Sequence, residues 1–233
     1  MTWVVATEAE HVVEAGITGG FWVDTAGIML VLPFVAFLLI LAVGKRMKHH
    51  GAELAIGALA INSLWATVLF VMNMTDGVLA TRTWEIARIG SNLIFELGWV
   101  VDGLSIMMYF LVSVVGLIVF IYAVGYMKDD VRVDWFFAAF SLFAGSMLIL
   151  VGAPNLIQLI IGWEGVGLAS YFLIGFYWED MANVNAGNKA FMVNKVADVG
   201  LILGAIILGL AIGTFDFFEM STAAFDHSEP LGA

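Results

Sequence analysis

Six stretches of about twenty mostly apolar residues, parted by short polar joints, leave this chain few folds to choose from. A bilayer core is crossed by about 20 apolar residues in an α-helix. The stretches fall at 25–43, 52–73, 103–126, 135–152, 155–177 and 190–213. Each is hydrophobic around its whole circumference, as expected of spans that meet lipid or one another. The first holds a proline, Pro33. The pattern predicts an all-α polytopic transmembrane bundle of about six spanning helices. Composition matters here only as a check: 12% of the residues are charged and 62% hydrophobic, where soluble domains carry about twice that charge fraction.

The charges collect between the stretches. Lys45, Arg46 and Lys48 follow the first span. Lys128 and Arg132 lie in KDDVRVD (128–134), and Lys189 ends WEDMANVNAGNK (178–189). Six crossings put these three joints on one side. The other side holds Arg82 and Arg88 in the longest joint (74–102), the acidic N-terminus and the acidic tail 214–233. Cytoplasmic loops collect Lys and Arg, so both termini are expected outside the cytoplasm. The acidic N-terminus lacks the basic stretch of a cleavable signal peptide, and none is expected. The joint 74–102 reads as a short hairpin or an interfacial segment with Trp84 and Trp99 at headgroup level. A net charge of −11 with no basic patch excludes nucleic acid as a partner. The absence of cysteine excludes disulfides and thiolate-ligated metal or iron–sulfur sites.

Three ionisable residues fall at membrane depth: Glu164, Lys195 and Asp198. A charge at a span's centre costs at least about 2.5–3.5 kcal/mol, so such residues are paired or line polar pathways. Glu164 is the only charge in LIQLIIGWEGVGLASYFLIGF, so any cation for it must come from another helix. Lys195 and Asp198 stand at i and i+3, neighbours on one helix face. Two readings stay open. The pair is an internally neutralised packing element, or it is a proton-relay element whose pairing is made and broken. Glu164 likewise reads as a relay or as a structural, hydrogen-bonded acid. Asn194 is placed to bond a neighbouring helix, and Lys189 reads as an interfacial anchor. Gly162, Gly165 and Gly167 open space beside Glu164. Gly200 with Gly204, and Gly209 with Gly213, give the sixth span a close-packing stripe. His49 and His50 read as a solvated loop end, and no metal site is expected.

GWEGVGLASYFLIGFYW (162–178) followed by NAGNKAFMVNKVADVGLILG (185–204) closely resembles the subunit L family of bacterial NADH:quinone oxidoreductase, respiratory complex I. VDGLSIMMYFLVSVVGLIVFIYAVGYM, in the third span, agrees with that family's pattern. The resemblance runs from about 99 to 213. It implies an N-terminal segment at 1–98, an antiporter-like proton-translocation module at 99–213 and a tail at 214–233. It implies that Glu164, Lys195 and Asp198 take part in proton translocation coupled to quinone reduction. In the family the glutamate pairs with a lysine on the helix after the sixth, beyond these residues. Lys195 stands where an arginine is usual, and Ala197 where a glycine is usual. The family further implies no flavin, iron–sulfur cluster or NADH in this chain; these and the quinone belong to other subunits. Expected partners are the antiporter-like subunits M and N, the bilayer, and a chain or segment supplying the remaining half, since family members are much longer. A bacterial inner membrane is the expected location. There are two alternatives. One is the related antiporter-like component of a multisubunit Na⁺/H⁺ antiporter, against which the WEGVG string argues. The other is a structural fragment without a pathway.

Overall fold

The computed structural model describes residues 19–89 and 93–226, with the backbone alone at 87–89, 93–95 and 224–226. The acidic N-terminus and the last part of the acidic tail lie outside these residues, as does the side chain of Arg88. A short turn of helix, α1 (Phe21–Asp24), leads into α2 (Gly27–Val43). Then follow α3 (Ala52–Asp76), a hairpin of β1 (Ala80–Ile89) and β2 (Leu93–Val101), α4 (Gly103–Tyr126), α5 (Val133–Val151), α6 (Leu156–Ile174), α7 (Met181–Ile212) and α8 (Phe217–Asp226). Helices α2 to α7 are the six long and apolar enough to cross a membrane.

Local chemistry sets several boundaries. Asp102 and Ser105 form a capping box at the start of α4. The Ser105 N–H donates to Asp102 Oδ1 (2.7 Å), and the Asp102 N–H donates to Ser105 Oγ (2.8 Å). The D-G-L-S string is thus a helix start, reciprocally satisfying backbone donors that hydrocarbon would leave bare. The sixth span begins at Met181, nine residues before its apolar run. Asp180 caps it by accepting the Ala182 N–H at 2.9 Å. The asparagine-rich stretch 183–188 is helix, where hydropathy registers only polarity. At 1.5 Å per residue its 32 residues reach about 48 Å, more than the ~30 Å hydrocarbon core. The polar joint between α6 and α7 shrinks accordingly, to 175–180.

Helix α5 is the hub, packed on α2, α4 and α6. Helix α3 pairs with α4 and α2, and α7 lies along α6. The core divides into two apolar clusters. One gathers Met29, Trp65, Leu69, Ile106, Tyr109 and Leu148 toward the hairpin end; the other gathers Ile40, Leu59, Phe120, Phe137 and Ala144 toward the opposite, basic end. Buried Asn62 and Ser63 lie between these clusters along α3. Pro33 has no N–H, so the Met29 carbonyl one turn before it loses its helical donor. Asn62 Nδ2 supplies that donor across the bundle, 2.9 Å from Met29 O. Ser63 Oγ donates to Ser113 O at 2.8 Å.

The joint 74–102 is the hairpin rather than an interfacial segment. Its strands pair antiparallel, with Ala80 opposite Val101 and Glu85 opposite Glu96. Side chains from the helices fasten it. Gln158 bonds both backbone groups of Gly98 (2.8 and 2.7 Å), Asn155 donates to Glu96 O (2.9 Å), and the Tyr109 hydroxyl donates to Val100 O (3.1 Å). Trp99 is therefore no headgroup anchor. It is buried and donates to Val23 O at 3.1 Å, because an indole N–H under a hairpin needs an internal acceptor. Trp84 is exposed and packs on it. Asp24 accepts from the Gly20 N–H and pairs with Arg82 at 2.6 Å; both hold its carboxyl below the usual range. At the basic end Arg132 pairs with Glu179 and stacks on Trp178, 3.9 Å from the ring centre.

Candidate functional site: a buried charge cluster between two helices

Helix α6 is fixed in register before the charges appear. Asn155 caps it, its Oδ1 accepting the Gln158 N–H at 2.9 Å, and Gln158 locks to the hairpin. Glu164 then falls near the middle of the span. Helix α7 runs back antiparallel along α6, which sets the middle of one against the middle of the other.

At that crossing the three membrane-depth charges meet. Lys195 Nζ pairs with Glu164 Oε2 and, 3.0 Å away, with Asp198 Oδ2. The other oxygen of Asp198 accepts the Trp163 indole N–H at 2.7 Å. The Phe191 ring lies under the ammonium, 5.1 Å from Nζ to its centre, a cation–π contact that needs no further charge. Asp198 is 6% exposed, Lys195 30% and Glu164 37%. One ammonium thus serves two carboxylates. Hydrogen bonds to ionised partners are the strong ones, and hydrocarbon offers no competing water. A shift of the ammonium between two acceptors, with proton exchange, is the chemistry this arrangement allows.

Two sequence expectations need correction. Glu164 does not lack a cation within this chain, because Lys195 supplies one from α7. Nor are Lys195 and Asp198 left without partners. The contact joins residues 31 apart, which no local spacing announces, and lysine's flexible stem makes the reach.

The glycines divide by what they face. A β carbon on Gly162 would sit 2.6 Å from the Leu150 amide nitrogen, and one on Gly165 would sit 2.9 Å from Ser146 Cβ. These two bring α6 against α5 rather than clearing space at the carboxylate. Gly167 does face the site, 4.0 Å from Lys195 Nζ by the same construction. Gly200 and Gly204 meet nothing within 4 Å, so they are no packing stripe within the described residues. Gly209 lies under Phe215, and Gly213, at φ +90°, ends α7 in the left-handed conformation. Asn194 and Lys189 are exposed, as are His49 and His50 in the turn before α3. Sequence reasoning missed Trp163. The signal was available, since an indole inside a span needs an acceptor.

Known proteins resemble this chain along most of its length. The family described as "NADH:quinone oxidoreductase/Mrp antiporter, TM" matches residues 153–231, and "NADH-Ubiquinone oxidoreductase (complex I), chain 5 N-terminus" matches 86–137. NADH-quinone oxidoreductase subunit L of Escherichia coli is 37% identical over 202 residues, 85% of this chain and 33% of the relative. NAD(P)H-quinone oxidoreductase chain 5 of a Synechocystis species is 50% identical over 122 residues, 52% of this chain and 18% of the relative. The chain therefore spans a third or less of the length of these relatives. Among solved structures, the Mrp complex of a Dietzia species aligns with a TM-score of 0.73 at 20% identity, covering 88% of this chain and 22% of that one. An archaeal membrane-bound sulfane sulfur reductase aligns at 0.71 and 14% identity, covering 87% and 40%. At such identities these structures speak for the fold.

Proposed function

The chain belongs to the antiporter-like membrane-subunit family of NADH:quinone oxidoreductases, and from that premise we propose that it takes part in proton translocation coupled to quinone reduction. The observation that carries the reading is the cluster of Glu164, Lys195 and Asp198 between α6 and α7. Ionisable groups inside a membrane are costly and mark ion or proton paths. In this reading Glu164 receives and releases a proton as Lys195 approaches or withdraws. Asp198 holds the ammonium when it leaves Glu164. A carboxylate with a close cation favours its charged form, and one without favours its protonated form. The module occupies 99–213.

No redox centre is assigned to this chain. Flavin, iron–sulfur clusters, NADH and quinone belong to other subunits of the assembly. Its neighbours are the antiporter-like subunits M and N, the bilayer, and the rest of the length that relatives possess. The basic end faces the cytoplasm of a bacterial inner membrane by the positive-inside rule, with both termini outside.

Replacing Glu164 with Gln in the assembled complex tests the reading. Gln keeps size and hydrogen bonding but not charge. NADH-driven proton pumping falls while assembly persists. Unchanged pumping with normal assembly would instead make this a structural membrane piece. A second reading, one component of an Mrp-type Na⁺/H⁺ antiporter, draws on the likeness to the Mrp complex. Na⁺/H⁺ exchange in vesicles without NADH would favour it.

A further inference from the structure

The link between α6 and α7 is reciprocal. Helix α6 contributes a donor, Trp163, and an acceptor, Glu164; α7 contributes a donor, Lys195, and an acceptor, Asp198. Both oxygens of Asp198 are engaged, Oδ1 by the indole at 2.7 Å and Oδ2 by the ammonium at 3.0 Å. Asp198 is the most buried of the three charged side chains, at 6% exposure. A buried carboxylate short of donors holds the nearest cation hard, because losing it leaves an uncompensated charge.

We propose that Trp163 is a positioning residue that divides Lys195 between the two carboxylates: its neutral N–H satisfies Asp198 and so frees the ammonium to pair with Glu164. Indole suits the task. It is a donor only, and neither accepts nor titrates. A second cation there would give each carboxylate its own partner and remove the competition for Lys195. A hydrogen bond to a charged group shifts such a partition by about tenfold to a hundredfold. The inference rests on reading Glu164 and Lys195 as the proton-carrying pair.

The test compares Trp163→Phe, Trp163→Gln and Glu164→Gln in the native membrane assembly, by NADH-driven proton transfer. Phe keeps an aromatic ring without the donor; Gln restores a neutral N–H at about the same reach. Trp163→Phe is expected to slow transfer about tenfold or more with assembly intact, and Trp163→Gln to recover most of it. A second readout does not depend on transport. The ¹⁵N-indole resonance of Trp163 should move in Asp198→Asn, since its acceptor loses charge. Wild-type transfer in Trp163→Phe beside impaired Glu164→Gln would overturn the role of Trp163 and leave the reading of the site intact. Equal losses in Phe and Gln would assign the effect to ring bulk and overturn it too. An indole resonance unmoved by Asp198→Asn would overturn it even if Trp163→Phe failed to assemble. Wild-type transfer in Glu164→Gln would remove the reading on which it rests.

Discussion

The Asn62 amide is worth something only because Pro33 exists. Pro33 strips the Met29 carbonyl of its helical donor, and Asn62 Nδ2 replaces it at 2.9 Å from another helix. Asn62→Leu, close in size, removes that donor and leaves a buried carbonyl unpaired, at about 1–3 kcal/mol. It also removes Asn62 Oδ1, which is buried and has no hydrogen-bond partner among the described residues; that relieves a desolvation cost of similar size. The single substitution therefore nearly cancels and decides little. A double-mutant cycle separates the terms. In a Pro33→Ala background residue 33 regains its N–H and bonds Met29 itself. The Oδ1 contribution is then common to both backgrounds and drops out. Asn62→Leu should cost more with Pro33 in place than in the Pro33→Ala background. The expected difference is about 1 kcal/mol, within the range of ~0.6 on average and ~1.7 at most for hydrogen bonds between membrane helices. Titrating the folded protein with SDS in mixed micelles gives the four stabilities. Equal costs in both backgrounds, within about 0.3 kcal/mol, would refute the argument.

The glycines make a contrasting pair. Gly162→Ala drives a methyl into the backbone of α5 and should destabilise by about 1–3 kcal/mol, whereas Gly200→Ala fills open space and gains about 0.5–1 kcal/mol of helix propensity; the same unfolding titration compares them, and equal losses would refute the packing. Gln158→Ala removes both bonds to Gly98 and should loosen the hairpin without unfolding the bundle, read as faster amide exchange confined to 93–101; unchanged exchange would mean the other fastenings suffice.

How much was legible in advance depends on the range of the interaction. Glu164, Lys195 and Asp198 stood out because a carboxylate or ammonium inside an apolar run is a local anomaly. The i, i+3 neighbourhood of Lys195 and Asp198 followed from helix geometry alone. The start of α7 was misplaced because hydropathy reports polarity, while the helix is set by the Asp180 cap and by helix-compatible asparagines. The Gly200 and Gly204 stripe was misjudged because a small residue marks permission for contact, and only a neighbour makes it.

The sequence by itself determined six membrane-spanning helices, the side on which basic residues collect and the residues whose burial demands compensation. These follow from run length, residue type and short periodicity, all properties of a few turns of chain. The tertiary structure decided the pairings: Lys195 with Glu164, 31 residues away, Trp163 with Asp198, 35 away, and Asn62 with Met29, 33 away. Hydrocarbon supplies no hydrogen bonds, so each polar group had to find a partner inside the protein. Which partner it found was fixed by the register in which whole helices pack, and that register is a property of surfaces formed only once the helices lie against one another.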